Sequence, residues 1–381
     1  MYLIRPMTVD DAALSSTNVA EPYTGETAWS STATYAAGDQ AIRTSTHRIY
    51  ERVDASVQST VTMTIASPCV VSWTAHGLSN GDPVAFSTTG ALPTGLTAGT
   101  VYYVVAAAAD TFEVAATSGG TAINTSGSQS GTHTAHAANP DPATDNGTHW
   151  TDIGPTDAWA MFDTKVGTQT QNADSIAVEL ALNTTVNALA LLNIDGGSAQ
   201  VTMTDSVDGV VYDRTTSLID LSGITDCYSW CFDPIAKLTT LVLNDLPAYG
   251  ATATLAVTLT NTGSTAKCGA CIPGLSKTIG DALYGAQLGI QDYSLKSTDD
   301  FGNYTIVVRP FADTGSFDVR VKSTFVDQLK KLLSDYRATP IVYVGSDQYS
   351  STVVFGFYKD FRITIDYPDY SLCNIEVEGL T

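Results

Sequence analysis

The run SIAVELALNTTVNALALLNIDGGSAQVTMTDSVDGVVYDRTTSL, residues 175–218, is the stretch that decides the fold class. It holds four strand-like apolar segments, spaced about ten residues apart and separated by turn residues. The segment ATLAVTLTNT, residues 253–262, continues the same rhythm. Short strands at this spacing are typical of antiparallel sandwiches, so we predict a β-sandwich of jelly-roll type over residues 157–277.

The composition of the whole chain agrees with this prediction. Of 381 residues, 44% are hydrophobic and only 15% are charged, while threonine, serine, glycine, alanine and valine are abundant. A chain of this length can bury several cores, and these residue types favour strands and turns over helices. We therefore predict a mainly β, multidomain protein.

Charge and hydropathy narrow the classes of partner. The 39 acidic and 18 basic side chains give a formal net charge of -21, which repels the phosphates of nucleic acids and anionic membranes. The sequence shows no signal-peptide pattern at its start and no apolar run approaching about 18 residues. We expect a soluble protein made in a cytosol, with no nucleic-acid partner and no membrane insertion.

The last part of the chain, residues 278–381, has a different pattern. The segment TFVDQLKKLLSDYRA carries apolar side chains at helical spacing, namely Phe325, Leu329, Leu332 and Leu333. It ends before Thr339 and Pro340, where the pattern changes to the period of two that strands show. Because strand-like runs flank this helix, we predict an α+β domain with one main helix.

Three segments precede the sandwich. Residues 1–25 read as an extended arm that would become ordered along a neighbouring subunit. Residues 26–56 and 139–156 read as the two halves of one small β-module. Residues 57–138 contain several short strands of their own, and we interpret them as a second β-module inserted into a loop of the first.

The inserted segment carries four recognisable motifs between residues 71 and 123. They are His76-Gly77-Leu78, Gly81-Asp82, Leu92-Pro93-Thr94-Gly95-Leu96 and Tyr102-Tyr103-Val104. With these motifs the segment resembles the FCCH-like β-barrel modules of phage tail and virion proteins. The resemblance implies a small barrel that serves as a scaffold, with its glycines at turns.

The module around the insertion resembles the chitin-binding type 3 (family 5/12) carbohydrate-binding modules. The matching elements are Trp29, Tyr35, Gly38-Asp39, Tyr50, Asn139-Pro140 and Trp150. The resemblance implies a glycan site in which Trp29, Tyr35, Tyr50 and Trp150 stack on sugar rings. The alternative is that Trp29, Tyr35 and Trp150 form the small core of this module, with sugar binding lost.

The C-terminal hundred residues resemble a domain of uncharacterised phage virion proteins. The shared features lie in residues 284–319, 332–346 and 356–380. The resemblance implies a structural protein of a phage tail or baseplate, assembled in the host cytoplasm and located in the virion. Its partners would be copies of itself and other tail proteins, with residues 278–381 docking to the particle. The alternative is a host-attachment adhesin that binds a surface glycan.

The sequence offers only weak candidates for catalysis. The acidic residues that could serve as paired carboxylates for glycoside hydrolysis are Asp145, Asp152, Asp157, Asp163, Asp299, Asp300 and Asp313. They lie in polar turns, and no nucleophile elbow, zinc-protease motif or phosphate loop accompanies them. His133 and His136 could contact a metal, but they lie in a polar loop. We predict no catalytic activity and no cofactor.

The cysteines leave three alternatives open. Cys227 and Cys231 form one close pair, and Cys268 and Cys271 form another, so the four together could hold zinc. The spacing of the first pair is one residue longer than that of a zinc knuckle. Disulfide formation and reduced core thiols are the other two interpretations, and we favour reduced thiols.

Overall fold

The fold of the chain was analysed in a computed structural model. It describes residues 1–31, 33–137, 139–145, 147–298, 301–365 and 367–380. The chain divides into two compact units, a larger one formed by Met1–Ala20 with Asp157–Thr381 and a smaller one formed by Glu21–Thr156. About 50% of the residues lie in strands and 7% in helices, so the predicted mainly β class with one main helix is confirmed.

The strands and helices follow one another in this order. The first are β1 (Tyr2–Pro6), β2 (Leu14–Thr17), β3 (Gln40–Arg43), β4 (Arg48–Arg52), β5 (Gln58–Met63), β6 (Val70–Ser72), β7 (Pro83–Thr88), β8 (Val101–Val105), β9 (Thr111–Ala115), β10 (His133–Ala137) and β11 (Trp150–Pro155). After a 3-10 helix at Asp157–Phe162 come β12 (Thr170–Ala181), β13 (Ala188–Asp195), β14 (Ser198–Asp205), β15 (Gly209–Ser217), β16 (Ile219–Asp220), α1 (Cys227–Phe232), β17 (Ala236–Lys237), β18 (Thr240–Leu243) and β19 (Ala253–Thr278). The last are β20 (Asp281–Ala282), β21 (Gln287–Asp292), β22 (Leu295–Thr298), β23 (Tyr304–Val307), β24 (Phe311–Lys322), α2 (Val326–Asp335), β25 (Ile341–Val344), β26 (Val353–Thr364) and β27 (Tyr370–Gly379), with 3-10 turns at Ser323–Phe325 and Ser350–Thr352.

The larger unit is built on one 14-stranded antiparallel sheet whose longest member is β19. The first half of β19 pairs with β12 on one side and β14 on the other, and its second half pairs with β13 and β1. Side chains alternate between buried and half-buried along Ala253–Asn261, as a strand with one core-facing side requires. The strand-like runs that decide the fold class therefore meet on a single long strand.

The N-terminal strand corrects the prediction of an extended arm over residues 1–25. β1 pairs with β19 on one edge and with β25 on the other, so it completes the sheet of its own subunit. Leu3 and Ile4 are fully buried and belong to two different core clusters. The apolar start MYLI has the composition of a strand that is buried on both faces. It is therefore ordered within its own subunit and needs no neighbouring subunit to pair with.

The boundary predicted between residues 277 and 278 is also absent from the sheet. β19 runs across this position and ends at Thr278. From β1 the sheet continues through β25, β26, β27 and β24, which are strands of the predicted α+β domain. The two predicted domains therefore share one sheet, because β1 bridges them at its centre.

The helix α2 lies on the C-terminal part of this sheet, as its apolar spacing predicts. Leu329 and Leu333 are fully buried, and Phe325 and Leu332 are partly buried against the same core. This core also contains Phe317, Tyr343 and Ile375 from the strands. Tyr336 caps the C-terminal end of the helix, and its backbone N–H donates to the carbonyl oxygens of Leu332 and Leu333.

The smaller unit contains two sheets of its own. β5 to β10 close a barrel in the order β10-β5-β6-β9-β8-β7, filled by side chains such as Phe86 and Phe112. β3, β4 and β11 form a separate three-stranded sheet. At Gly95 the backbone has a φ of +113°, and a Cβ there would lie 2.5 Å from the Asn124 carbonyl oxygen. Glycine is therefore required at this turn of the predicted barrel.

Candidate functional site

The aromatic residues predicted to bind a glycan form the core of the three-stranded sheet. Tyr35, Tyr50 and Trp150 are all buried, and only 1% of Trp150 is exposed. The rings of Tyr35 and Trp150 meet edge to face with centroids 4.9 Å apart, and the guanidinium of Arg52 lies 5.2 Å above Trp150. These three residues cannot present a ring face to a sugar, so this part of the predicted site is wrong.

Trp29 is the fourth predicted residue, and it is half-buried beside this core. The guanidinium carbon of Arg43 lies 4.8 Å from the centre of its ring, and Arg43 also forms an ion pair with Asp141. A cation over the ring occupies the surface that a sugar would stack on. The structure therefore brings the four aromatic residues together as one packed cluster. The ring of Trp29 is the least buried of the four, and Arg43 lies over it.

Asn139 holds the two halves of this module together. Its side-chain amide donates to the carbonyl of Ala33 at 2.7 Å and accepts from the Ser56 hydroxyl at 2.6 Å. Asn139 is itself buried. The motif residue that suggested a carbohydrate-binding module thus has a structural role in this chain.

The candidate carboxylates of the smaller unit serve local structure. Asp145 accepts from the backbone N–H groups of His149 and Trp150, which fixes the start of β11. Asp152 forms a two-pronged ion pair with Arg48 on the neighbouring strand, with N–O distances of 2.7 to 3.0 Å. These carboxylates are therefore engaged in backbone capping and surface pairing.

The larger unit contains the remaining candidates. Asp157 accepts from the backbone of Gln171, and Asp163 accepts from the backbone of Lys165. Burial raises the pKa of Asp313 above its usual range. Asp313 lines a cavity of about 420 Å³ and is the one acid among the described residues of its lining. Glycoside hydrolysis needs a second carboxylate, and these lining residues do not provide it. Asp299 and Asp300 lie outside the described residues.

His133 and His136 do not share a site. They bond to different hydroxyls of β7: the ring of His133 to Thr88 and that of His136 to Ser87, each at 2.8 Å. Both side chains are buried in the barrel wall. Burial lowers the pKa of His136 below its ordinary value, because the charged form loses its hydration.

The lowered pKa of His136 predicts that stability falls in acid. The unfolded chain binds a proton as the pH falls through about 6.5, whereas the folded barrel resists protonation until a lower pH. The barrel is therefore expected to lose stability between about pH 6.5 and the lower folded pKa. Urea unfolding of wild type and His136→Gln at pH 7.5 and pH 5 measures this effect. The variant should show a smaller difference between the two pH values, and an unchanged difference would contradict the assignment.

The four cysteines proposed for zinc do not come together. Cys227 and Cys231 are exposed on α1, whereas Cys268 and Cys271 are buried in β19. Burial raises the pKa of Cys271 to about 12 and that of Cys268 well above its usual value, so both thiols stay protonated. The structure has all six cysteines free. The zinc interpretation is therefore wrong for this set, and among the described residues no other group of three or more potential ligands is found.

An exposed apolar segment in the larger unit is the feature that sequence reasoning missed. We define the exposed segment as residues 283–298 and 301–311, which include β21, β22 and β23. The side chains of these three strands are all exposed, with Tyr304 at 76% and Ile306 at 60%. β22 pairs with β23 as an isolated two-stranded hairpin.

β21 gives the exposed segment an open sheet edge. It pairs with β24, and the described residues provide no second partner strand for it. Leu288 and Ile290 lie two residues apart, on one face of this strand, and both are exposed. An exposed edge with apolar side chains is a surface that another chain can extend by main-chain hydrogen bonding.

Comparison of the chain with family models, with curated proteins and with solved structures found no match. Within the described residues, none of the helices has the length and apolar character needed to cross a membrane.

Proposed function

We propose that the chain is a non-catalytic structural component of a bacteriophage tail or baseplate, assembling as a symmetric oligomer and contacting other tail proteins. The observation that carries this proposal is the exposed segment, residues 283–298 and 301–311. In this role the protein is part of the virion and is assembled in the host cytoplasm.

The physical argument rests on the instability of an isolated hairpin. A two-stranded hairpin in water is marginally stable unless a third strand or another surface covers one of its faces. The hairpin β22–β23 exposes Leu295, Tyr304 and Ile306. Apolar side chains exposed on a hairpin that has no covering surface are best explained as side chains that become buried on assembly.

The phage context comes from the resemblances of the sequence. The inserted barrel resembles a virion β-module, and residues 284–319 lie in the part that resembles phage virion proteins. The exposed segment falls almost entirely within those residues. The engagement of the candidate carboxylates in local bonds supports a role without catalysis.

The glycan-binding alternative receives less support. Tyr35, Tyr50 and Trp150 are core residues, and Arg43 covers Trp29. A host-attachment role would therefore need a surface other than the one predicted from the resemblance. Assembly remains the function that the geometry supports best.

The proposal predicts that the chain is present in purified virions and that the exposed segment controls its incorporation. A phage lacking its own copy would be complemented with wild type or with the double variant Tyr304→Ser/Ile306→Ser. Because both side chains are largely exposed, the variant should fold, yet its abundance in particles should fall by about tenfold or more. Quantitative mass spectrometry of the virions measures this abundance.

The matched control is Val207→Ser, which removes an exposed apolar side chain elsewhere in the larger unit. This variant should enter particles at the wild-type level. Absence of the wild-type chain from virions would overturn the proposed function. Incorporation of the double variant at the wild-type level would show that the exposed segment is not the assembly surface.

A further inference from the structure

A second apolar surface of the larger unit surrounds the short helix α1. Tyr228, Trp230 and Phe232 expose 65 to 71% of their surface, and Ile235 follows them at 74%. The rings of Tyr228 and Phe232 lie 4.8 Å apart and pack together on one face of α1, while Trp230 is exposed between them in the sequence. We call residues 226–235 the aromatic segment.

The charge of the aromatic segment is entirely negative. Asp226 caps the start of α1 and Asp233 stands at its end. The sequence contains no lysine or arginine between Thr215 and Ala236. The hydrogen bonds from Ser229 hold the pKa of Asp226 below its usual range, so this carboxylate is ionised at neutral pH. A partner surface for this segment should therefore combine apolar walls with positive charge.

A cleft of about 510 Å³ in the same unit has these properties. Its lining residues include Phe357 and Tyr358, which are half-buried, and Arg309 and Lys359, which are exposed. Among the described residues, neither of these two basic side chains has an ion-pair partner. The acid in the cleft, Glu378, accepts a hydrogen bond from the Tyr293 hydroxyl at 3.2 Å.

We propose that the aromatic segment of one copy docks into this cleft of the next copy. The inference rests on the proposed function, because it names the contact by which copies assemble. Tryptophan, tyrosine and arginine are the residues that dominate interface energetics, and a guanidinium or ammonium group binds favourably over an indole ring. Arg309 belongs to the exposed segment, so the cleft is continuous with the surface proposed for assembly.

The contact is heterologous, because the two surfaces that meet are different parts of the chain. Each copy therefore offers one aromatic segment and one cleft, and the contact can repeat from copy to copy. Repetition of this kind closes into a ring or continues as a stack.

Charge reversal on each side tests the contact. The cleft variant is Arg309→Glu/Lys359→Glu, and the segment variant is Asp233→Lys, which leaves the helix cap at Asp226 intact. In the cleft variant alone, the segment of one copy meets a cleft of the same sign on the next copy, and in the segment variant alone the segment has lost its net negative charge and places a lysine against the basic cleft. Sedimentation velocity of the full chain should show self-association weakened by about tenfold or more in either variant.

An equal mixture of the two variants provides the sharpest result. The unchanged segment of the cleft variant fits the unchanged cleft of the segment variant, and the lysine of the changed segment can pair with the glutamates of the changed cleft. Self-association should therefore return to within about threefold of wild type in the mixture. A contact between identical surfaces or with an unrelated site would not be restored in this way.

The control is Lys330→Glu/Lys331→Glu, which makes the same change in net charge on the exposed face of α2. It should associate as wild type does. Equal association of wild type and both charge-reversed variants, or a mixture that stays as weak as its components, would overturn the proposed contact and leave the proposed function standing. A wild-type chain that stays monomeric at every concentration would overturn both the contact and the self-assembly on which it rests.

Discussion

Replacing Ile4 with aspartate is expected to unfold the larger unit. Ile4 is fully buried in β1, between β19 and β25, and packs in the core that includes Val342 and Phe355. An aspartate there buries a carboxylate that has no paired cation, which should cost more than about 4 kcal/mol of the free energy of unfolding. Urea unfolding followed by circular dichroism measures the loss.

The control for this prediction is Arg5→Gln on the same strand. The side chain of Arg5 is exposed, so the substitution should change the free energy of unfolding by less than about 0.5 kcal/mol. If Ile4→Asp unfolds at the same urea concentration as wild type, β1 is not part of the core and the first residues are the free arm that their position suggested.

Trp150→Ala is expected to destroy the three-stranded sheet of the smaller unit. Trp150 is the largest side chain of a core that otherwise consists of Tyr35, Ala41 and Tyr50, with Trp29 and Ala33 at its edge. Truncating a buried tryptophan costs about 3 to 5 kcal/mol, and so small a core has few other contacts to replace it. Hydrogen exchange should become fast in β3, β4 and β11.

The barrel supplies the internal reference for this experiment. Its core is formed by other residues, including Phe86 and Phe112, so the exchange of β8 and β9 should stay close to that of wild type. Thr151→Ala, at the exposed next position of β11, is the matched control and should leave β11 protected. Unchanged exchange in Trp150→Ala would mean that the ring is available for another role, such as stacking on a sugar.

Local patterns in the sequence were sufficient to predict most strands and the main helix. The spacing of Leu329 and Leu333 determines which face of α2 is buried, and the turn glycines mark the barrel. Such signals work because they depend on neighbours within a few residues. The joining of residues 157–277 and 278–381 depends instead on β1, whose paired residues are 268 or more positions away in the sequence, as Pro6 and Gly274 are. No local pattern carries that information.

The candidate site was harder to predict for a related reason. Aromatic residues in a small module have the same pattern whether they form its core or a binding surface, and only the fold decides that Trp150 is buried. The alternation in YTIVV indicates a strand, but not that β23 is exposed on both faces. The exposure of a strand depends on whether another strand or surface covers it in the folded chain. The sequence of one chain also does not reveal the surface of a partner.

An electron cryo-microscopy map of the particle that contains the chain tests the central claim most directly. We predict symmetry-related copies in contact with one another, with the exposed segment of each copy covered by a neighbour. The exposed hairpin β22–β23 should then have a third strand or an apolar surface against it. A map in which this segment faces solvent in every copy, or in which the chain is present as isolated single copies, would contradict the account.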